Sequence, residues 1–178
     1  GVYPYLQKVS RKFNIGIDIG KKGAIVVLPG QKAIQKAFDP IVMPLVGDQV
    51  DYHHLYMVLR RYEGTDCHVI FEKLGVIFGT GKSTAFSMGY QAGALEMACI
   101  ALKLPYTKVP AKQWQKEMFQ GVDEITKKGK SSRDTKAMAL IAANRLFPDY
   151  KLTVGRATTP HDGVVDALLM AEYCKRKI

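Results

Sequence analysis

The chain has 178 residues, of which 47% are hydrophobic and 24% charged, a composition typical of one soluble globular domain with a substantial core. Lysine and arginine outnumber aspartate and glutamate by 26 to 16, and the resulting net charge of +10 favours a polyanionic partner such as nucleic acid over a membrane surface. No run of 18 apolar residues occurs, so no membrane-spanning helix is predicted.

Residues 13–20 alternate between apolar and polar or small side chains, which predicts a strand. After a short turn, residues 24–30 predict a second strand, and a weaker third strand is predicted within residues 32–38. Neighbouring strands joined by a tight turn are antiparallel, so the sheet should open as a meander. Residues 1–12 are interpreted as a tail or remnant that precedes one domain, residues 13–178.

The rest of the chain alternates helices with strands. The predicted helices are 51–61, 83–102, 110–119, 135–147 and one that begins near Thr159-Pro160, and the predicted strands are 67–71 and 106–109. Helix 83–102 is rich in small residues, which permit close packing on the sheet or against a second subunit. The order of elements indicates a mixed α/β sheet. Three widely spaced cysteines without metal-site spacing are typical of reduced, buried thiols in an intracellular protein.

Residues 75–83 look like a phosphate-binding P-loop but have the wrong spacing. A P-loop needs a glycine five residues before the glycine of its Gly-Lys-Ser/Thr, and Val76 occupies that position. An ATP site is therefore not predicted. One remaining interpretation is a flexible connection between a strand and a helix. The other is a loop that approaches a phosphodiester backbone through Gly79, Gly81, Lys82 and Ser83.

Two acidic residues occur at apolar strands. Asp18 lies within the first predicted strand, and Glu72 directly follows residues 67–71. Charged residues are costly in central strands unless they are paired, hydrogen-bonded or bound to a metal. Asp18 shares a strand face with Gly16 and Gly20, so we expect open space around its carboxylate. Either acid alone could be a structural ion pair or a helix cap, but two acids at strand ends favour a ligand site.

The last predicted helix carries an acidic pair. Asp162 and Asp166 are four residues apart, so both carboxylates project from one face and repel each other by roughly a few tenths of a kcal/mol. A divalent cation between them would reverse that cost. Asp162 also stands three residues after Thr159, the position of the acid in a capping box. Asp166 interrupts an apolar run, and His161 is either a partner of the pair or a surface residue of the first turn.

Four carboxylates without a cysteine ligand suit a hard cation, Mg²⁺ or Mn²⁺, rather than zinc. On a basic protein, such a site suggests phosphodiester cleavage, in which two metal ions about 3.5–4 Å apart activate a water and stabilise the leaving 3′-oxygen. Asp18 would then bridge both ions, and the remaining ligands would be Glu72, Asp162 and Asp166. No histidine base is needed, because coordination lowers the pKa of the water.

Four segments carry a family resemblance: GIDIGKKGAIVVL, VIFEKLGVIFGTGKSTAFSMGYQAGALEMA, VPAKQWQK and HDGVVDALLMAEY. In this order they resemble the RuvC-like Holliday junction resolvases, and the phage-type and plastid-type members more than the bacterial housekeeping enzyme. No single segment is specific for the family. The ordered set spans residue 13 to about residue 176.

The resemblance implies an α/β, RNase H-like fold, with a five-stranded mixed sheet flanked by helices. It implies a homodimer that makes paired, Mg²⁺-dependent nicks in branched DNA, with Mn²⁺ as a substitute. The four acidic ligands of the family fall on Asp18, Glu72, Asp162 and Asp166. The bacterial enzyme commonly spaces its final pair by three residues rather than four, which leaves His161 as an alternative ligand. A prokaryotic or phage-infected cytoplasm and an organelle nucleoid both fit such an enzyme.

The resemblance also indicates contacts to DNA. Lys136 matches a basic residue of the family and is predicted to steady the cleaved phosphate, the alternative being a solvated first-turn lysine. Residues 103–136 include nine basic and four acidic side chains and are predicted to line DNA. Trp114 is interpreted as a packing anchor, and Phe78 as either a wedge at the junction centre or a cap on the core. The predicted DNA-binding residues are Phe78, Gly79, Lys82, Ser83, Lys108, Lys112, Lys116, Lys130 and Arg133.

Three other functions compete with that of a structure-specific DNA endonuclease. An RNase H-fold nuclease of another substrate, such as an RNA–DNA hybrid, would use the same acids. An actin-like kinase or ATPase shares the Asp-x-Gly strand, but its repeated domain needs roughly twice this length. A binding-only module would keep the fold without catalysis, and the intact acidic set argues against it.

Overall fold

The computed structural model describes residues 13–30, 38–75 and 81–178. Its strands are β1 (Phe13–Asp18), β2 (Ala24–Pro29), β3 (Ile41–Val42), β4 (Leu45–Val46), β5 (Gln49–Val50), β6 (Cys67–Glu72) and β7 (Tyr106–Val109). Its helices are α1 (Tyr52–Arg60), α2 (Lys82–Ala101), α3 (Ala111–Met118), α4 (Thr135–Leu146) and α5 (Asp162–Lys177).

Five strands form the main sheet in the order β3-β2-β1-β6-β7, and β4 pairs with β5 in a separate ribbon. β1 runs antiparallel to β2, with Ile15 opposite Val27, and parallel to β6, with Ile15 opposite Val69. β3 is antiparallel to β2, and β7 is parallel to β6. The predicted mixed sheet and its opening meander are therefore confirmed.

The alternation of side chains along the strands divides the core into two layers. Ile15, Ile17 and Phe71 face the layer that includes α1 and α2. Val26 and Ile70 face the layer built from α3, α4 and α5. Since each buried aliphatic or aromatic side chain stabilises the fold by about 1.5–3 kcal/mol, both faces of the sheet anchor their helices. Gly16 and Asp18 alternate with Ile15 and Ile17, so they face α5.

Helix α5 packs directly on the backbone of β1 at Gly16. A methyl group at Gly16 would overlap the carbonyl oxygen of Ala167 and lie 2.7 Å from the amide nitrogen of Ala171. The prediction of open space beside Asp18 is therefore wrong at this neighbour, because the helix backbone fills it. The missing side chain instead allows α5 to approach the strand closely.

The structure changes two predicted boundaries. The third strand of the sheet is Ile41–Val42. The predicted strand within residues 32–38 falls mainly on residues 31–37, outside the described part of the chain, and Phe38 is not in a strand. The last helix begins at Asp162 rather than near Thr159-Pro160.

Three further sequence predictions concern the cysteines, the membrane and the N-terminal tail. All three cysteines are buried, as predicted. Among the described residues, no helix is long and apolar enough to cross a bilayer. The predicted tail, residues 1–12, lies outside the described residues.

Candidate active site

Asp18 and Glu72 end two neighbouring parallel strands. β1 and β6 pair in register up to Ile17 and Phe71, and each acid is the next residue of its strand. Because parallel strands end at the same edge of a sheet, the register places the two acids side by side there.

Helix α5 brings the acidic pair to the same edge. Asp166 precedes Ala167, whose carbonyl group lies against Gly16. One turn earlier, a methyl group at Gly163 would lie 3.0 Å from the Cα atom of Gly23, in the turn between β1 and β2. Two close backbone approaches therefore seat the first turns of α5 on the strand that carries Asp18.

The pKa values of the buried carboxyl groups depend on burial and on the charges of the other acids. The pKa of Asp18 is raised from 3.8 to about 8, first by burial and then by the charges of Asp166, Glu72 and Asp162, while Lys136 opposes the rise. The pKa of Asp166 is likewise raised from 3.8 to about 7, first by burial and then by the charges of Glu72 and Asp162, against the opposing charge of Lys136. Like charges in a partly dry setting disfavour simultaneous ionisation. These four acids, Asp18, Glu72, Asp162 and Asp166, are called the acidic cluster below.

Trp114 of α3 also belongs to this site, which the sequence did not predict. Its side chain is 1% exposed, which confirms it as a packing anchor. Its indole Nε1–H also donates a hydrogen bond to Oε2 of Glu72 at 3.3 Å. Burial raises the pKa of Glu72, and this hydrogen bond opposes the rise. A tryptophan on the buried face of a basic helix was the signal available in the sequence, but its partner depends on tertiary structure.

Lys136 lies at the rim of the acidic cluster. It is the second residue of α4, whose N-cap Asp134 accepts a hydrogen bond from the amide of Ala137. Its Nζ lies 2.9 Å from Oδ2 of Asp162, and both side chains are well exposed. The hydrogen bond and the charge of Asp162 raise the pKa of Lys136. The structure thus places the predicted phosphate-steadying lysine beside an acid of the site.

His161 is the N-cap of α5, and its Nδ1 accepts a hydrogen bond from the amide of Val164 at 3.2 Å. The imidazole therefore keeps only Nε2 for any other partner in this conformation. The capping-box explanation of Asp162 is wrong, because Thr159 lies outside the helix and His161 caps it instead. Asp162 is left without a capping role.

The acidic cluster has the donors that Mg²⁺ and Mn²⁺ prefer, since all four are carboxylates. Its raised pKa values reflect burial first and mutual repulsion second, and a dication would relieve the repulsion. Within the described ranges, however, no three acidic, histidine or cysteine side chains are close enough to form a ready-made metal cage. The donor set fits a hard cation in its chemistry, but the side chains must close in to surround one.

The predicted DNA-binding residues fall into separate places. Lys112, Lys116 and Arg133 line one cavity beside α3. Lys108 instead forms an ion pair with Glu96 of α2 at 2.9 Å, on the other face of the sheet. Lys82 and Ser83 are exposed at the start of α2, and Lys130 is exposed near the tip of the loop before α4. Phe78 and Gly79 lie outside the described residues, so neither interpretation of Phe78 is resolved.

Comparisons with known proteins give the fold. No protein-family model and no curated protein matches the sequence. Among solved structures, RuvC of Thermus thermophilus is similar with a TM-score of 0.54 and 18% identity, over 89% of this chain and 93% of that chain. The T. thermophilus RuvC in complex with a Holliday junction substrate is similar with a TM-score of 0.54 and 15% identity, over 88% and 89%. The chain therefore has the RNase H-like fold of RuvC, with a five-stranded mixed sheet flanked by helices.

Proposed function

We propose that this chain is a metal-dependent endonuclease that resolves four-way DNA junctions, and that it belongs to the phage-type or plastid-type RuvC-like resolvases. The observation that carries the proposal is the acidic cluster, in which three separate elements, β1, β6 and α5, carry four carboxylates at one edge of the sheet on an otherwise basic protein. Holding such charges together costs stability, so a structural role alone explains it poorly.

The cofactor we propose is Mg²⁺, with Mn²⁺ as a substitute, held by the acidic cluster. When bound, it supplies a water of lowered pKa and stabilises the leaving oxygen. Near neutral pH, Asp18 and Asp166 hold protons because their pKa values are raised. They would release these protons when the cation binds. Trp114 holds the Glu72 carboxylate by its Oε2. Lys136 exchanges its ion pair with Asp162 for a contact to the phosphate that is cleaved.

Branched DNA is the proposed substrate because of charge and fold together. The net charge of +10 supports binding to a polyanion. In the loop before α4, the amide of Lys127 donates to the carbonyl of Ser132, and Thr126 pairs with Arg133 in a short bridge. This loop, residues 126–133, is called the basic hairpin below. Its lysines, Lys127, Lys128 and Lys130, are exposed beside α3. The similar T. thermophilus RuvC has been solved with a Holliday junction substrate.

A homodimer is proposed on the exposed face of α2. Phe86, Tyr90, Met97 and Ile100 are 75%, 60%, 60% and 53% exposed. Together with Gly93, these four residues recur at alternating intervals of four and three residues. This spacing is typical of an interface between two helices. Nothing in the described structure lies within 4 Å of a methyl group built at Gly93, so a second helix has room to approach. A Met97→Glu variant should then elute and scatter light as a monomer.

The test is cleavage of an end-labelled synthetic four-way junction, with Mg²⁺ and with EDTA, beside duplex, flap and RNA–DNA hybrid controls. We expect paired, metal-dependent nicks on the junction that an Asp18→Asn variant does not make. Cleavage of the RNA–DNA hybrid alone would support a metal-dependent nuclease but would contradict branched DNA as its substrate. Tight junction binding without cleavage in Mg²⁺ or Mn²⁺ would contradict the nuclease and leave a binding module.

A further inference from the structure

A cavity of about 460 Å³ lies between α3, the basic hairpin and the start of α4. This volume is within the range of small-molecule sites. Basic side chains from two elements surround its mouth: Lys112, Lys116 and Arg133. Its floor is apolar and comes from Phe119, Val122 and Met138.

The floor packs against the hydrophobic core, and the mouth is charged. Phe119 and Met138 are 6% and 2% exposed, and the ring of Phe119 packs edge-on against Trp114 with centroids 6.1 Å apart. Lys112 and Lys116 are one helical turn apart, so their like charges repel unless an anion lies between them. Arg133 has a 3.7 Å contact with Glu124, and both side chains are largely exposed. An apolar floor below a cationic mouth fits a ligand with a flat ring and a phosphate, which is a nucleotide.

The cavity is next to the acidic cluster rather than part of it. Trp114, whose indole contacts Glu72, projects from the side of α3 opposite Lys112 and Lys116. Lys136, which contacts Asp162, is two residues before Met138 in α4. A helix is about 10–12 Å across, so a strand held at the acidic cluster can extend into the cavity within a few nucleotides.

We propose that this cavity binds one unstacked nucleotide of the DNA strand being cut, an inference that rests on the proposed function. Unstacking is cheapest where a base has already lost a neighbour, as at a branch point. Gln120 and Glu124 also line the cavity and can bond the edge of the base. A carboxylate accepts from the exocyclic amines of cytosine, adenine and guanine, which thymine lacks, so we expect thymine to be the least favoured base.

The first experiment follows the methyl group of Met138 by ¹³C-methyl methionine NMR of the Asp18→Asn variant. The chain has seven methionines, and a Met138→Leu variant assigns the signal. We expect deoxycytidine 5′-monophosphate and a four-way junction to shift it upfield, because a base ring would displace the Arg133 guanidinium, whose Nη2 lies 3.9 Å from the Met138 sulfur. Abasic deoxyribose 5-phosphate should leave it in place. An unmoved Met138 signal on a junction that binds in a gel-shift assay would overturn the proposal.

The second experiment fills the cavity with Val122→Trp and compares it with Asp123→Trp, an exposed neighbour that does not line it. We expect Val122→Trp to abolish the Met138 shift, to cut the junction at least tenfold more slowly and to lose its base preference. Asp123→Trp should behave as wild type. Equal cleavage by both variants would refute nucleotide binding in the cavity but would not contradict the proposed nuclease. A Met138 shift with the mononucleotide, in a wild-type chain that cuts no DNA, would support the nucleotide site and refute the nuclease.

Discussion

Replacing Asp18 by asparagine should stabilise the protein without metal, and increasingly so as the pH rises. The pKa of Asp18 is about 8 in the folded protein against an ordinary value of 3.8. Between these values the folded state holds a proton that the unfolded chain has released. Stability therefore falls with rising pH through that window, and levels off above about pH 8. Asparagine keeps the shape of the side chain and removes the charge.

The size of the effect follows from the same pKa. At about 1.4 kcal/mol for each pKa unit, the rise from 3.8 to about 8 corresponds to at most about 6 kcal/mol. Neighbouring acids share the protons of the cluster, so we expect roughly 2–3 kcal/mol at pH 8.5. For a domain of this size, that raises the Tm by about 5–10 °C. At pH 4 the difference should fall below about 1 kcal/mol.

The assay is thermal unfolding in EDTA from pH 4 to pH 8.5. Asp48→Asn is the matched control, because it removes the same charge from a side chain that is 90% exposed and only 3.7 Å from Lys21. Its free energy of unfolding should stay within about 0.5 kcal/mol of that of the wild type at every pH. An Asp18→Asn variant that unfolds no later than wild type at pH 8.5, or by a margin independent of pH, would refute the buried acidic cluster.

Three further predictions concern neighbours of the cluster. Gly16→Ala should destabilise the fold by about 1–3 kcal/mol and reduce cleavage, because α5 must move off β1; Gly75→Ala, which meets nothing within 4 Å in the described structure, should leave the Tm unchanged. Trp114→Phe should keep the packing but release Glu72, so cleavage should fall roughly tenfold and need more Mg²⁺; an unchanged Mg²⁺ titration would contradict this role. Lys136→Met should slow cleavage roughly a hundredfold while altering stability by less than about 1 kcal/mol, since its ion pair is exposed; equal rates in a single-turnover assay would exclude a contact to the phosphate.

Patterns that act locally were predictable from the sequence. Alternation along residues 13–20 located β1, and helical spacing in residues 51–61 located α1. Asp18 and Glu72 stood out because a charge in an apolar strand needs an explanation in any fold. The family resemblance then supplied the five-stranded mixed sheet flanked by helices, which spacing alone does not determine.

Features that depend on contacts between distant residues were not predictable. β3 has two residues, too few for a period to be read. Gly16 was interpreted as empty space, although the residue that fills it comes from α5. Thr159 precedes a proline, as at many helix starts, but the imidazole of His161 caps the helix instead. Lys108 is paired with Glu96 across two elements, which no local pattern indicates.

The seating of α5 on β1 has a consequence for the chain during its synthesis. A ribosome releases β1 and β6 long before α5, so the growing sheet exposes the apolar face that α5 later covers. Such a chain has Asp18 and Glu72 but not Asp162 or Asp166. The proposed cutting activity would therefore begin only after α5 has docked, and unfinished copies would not cut DNA.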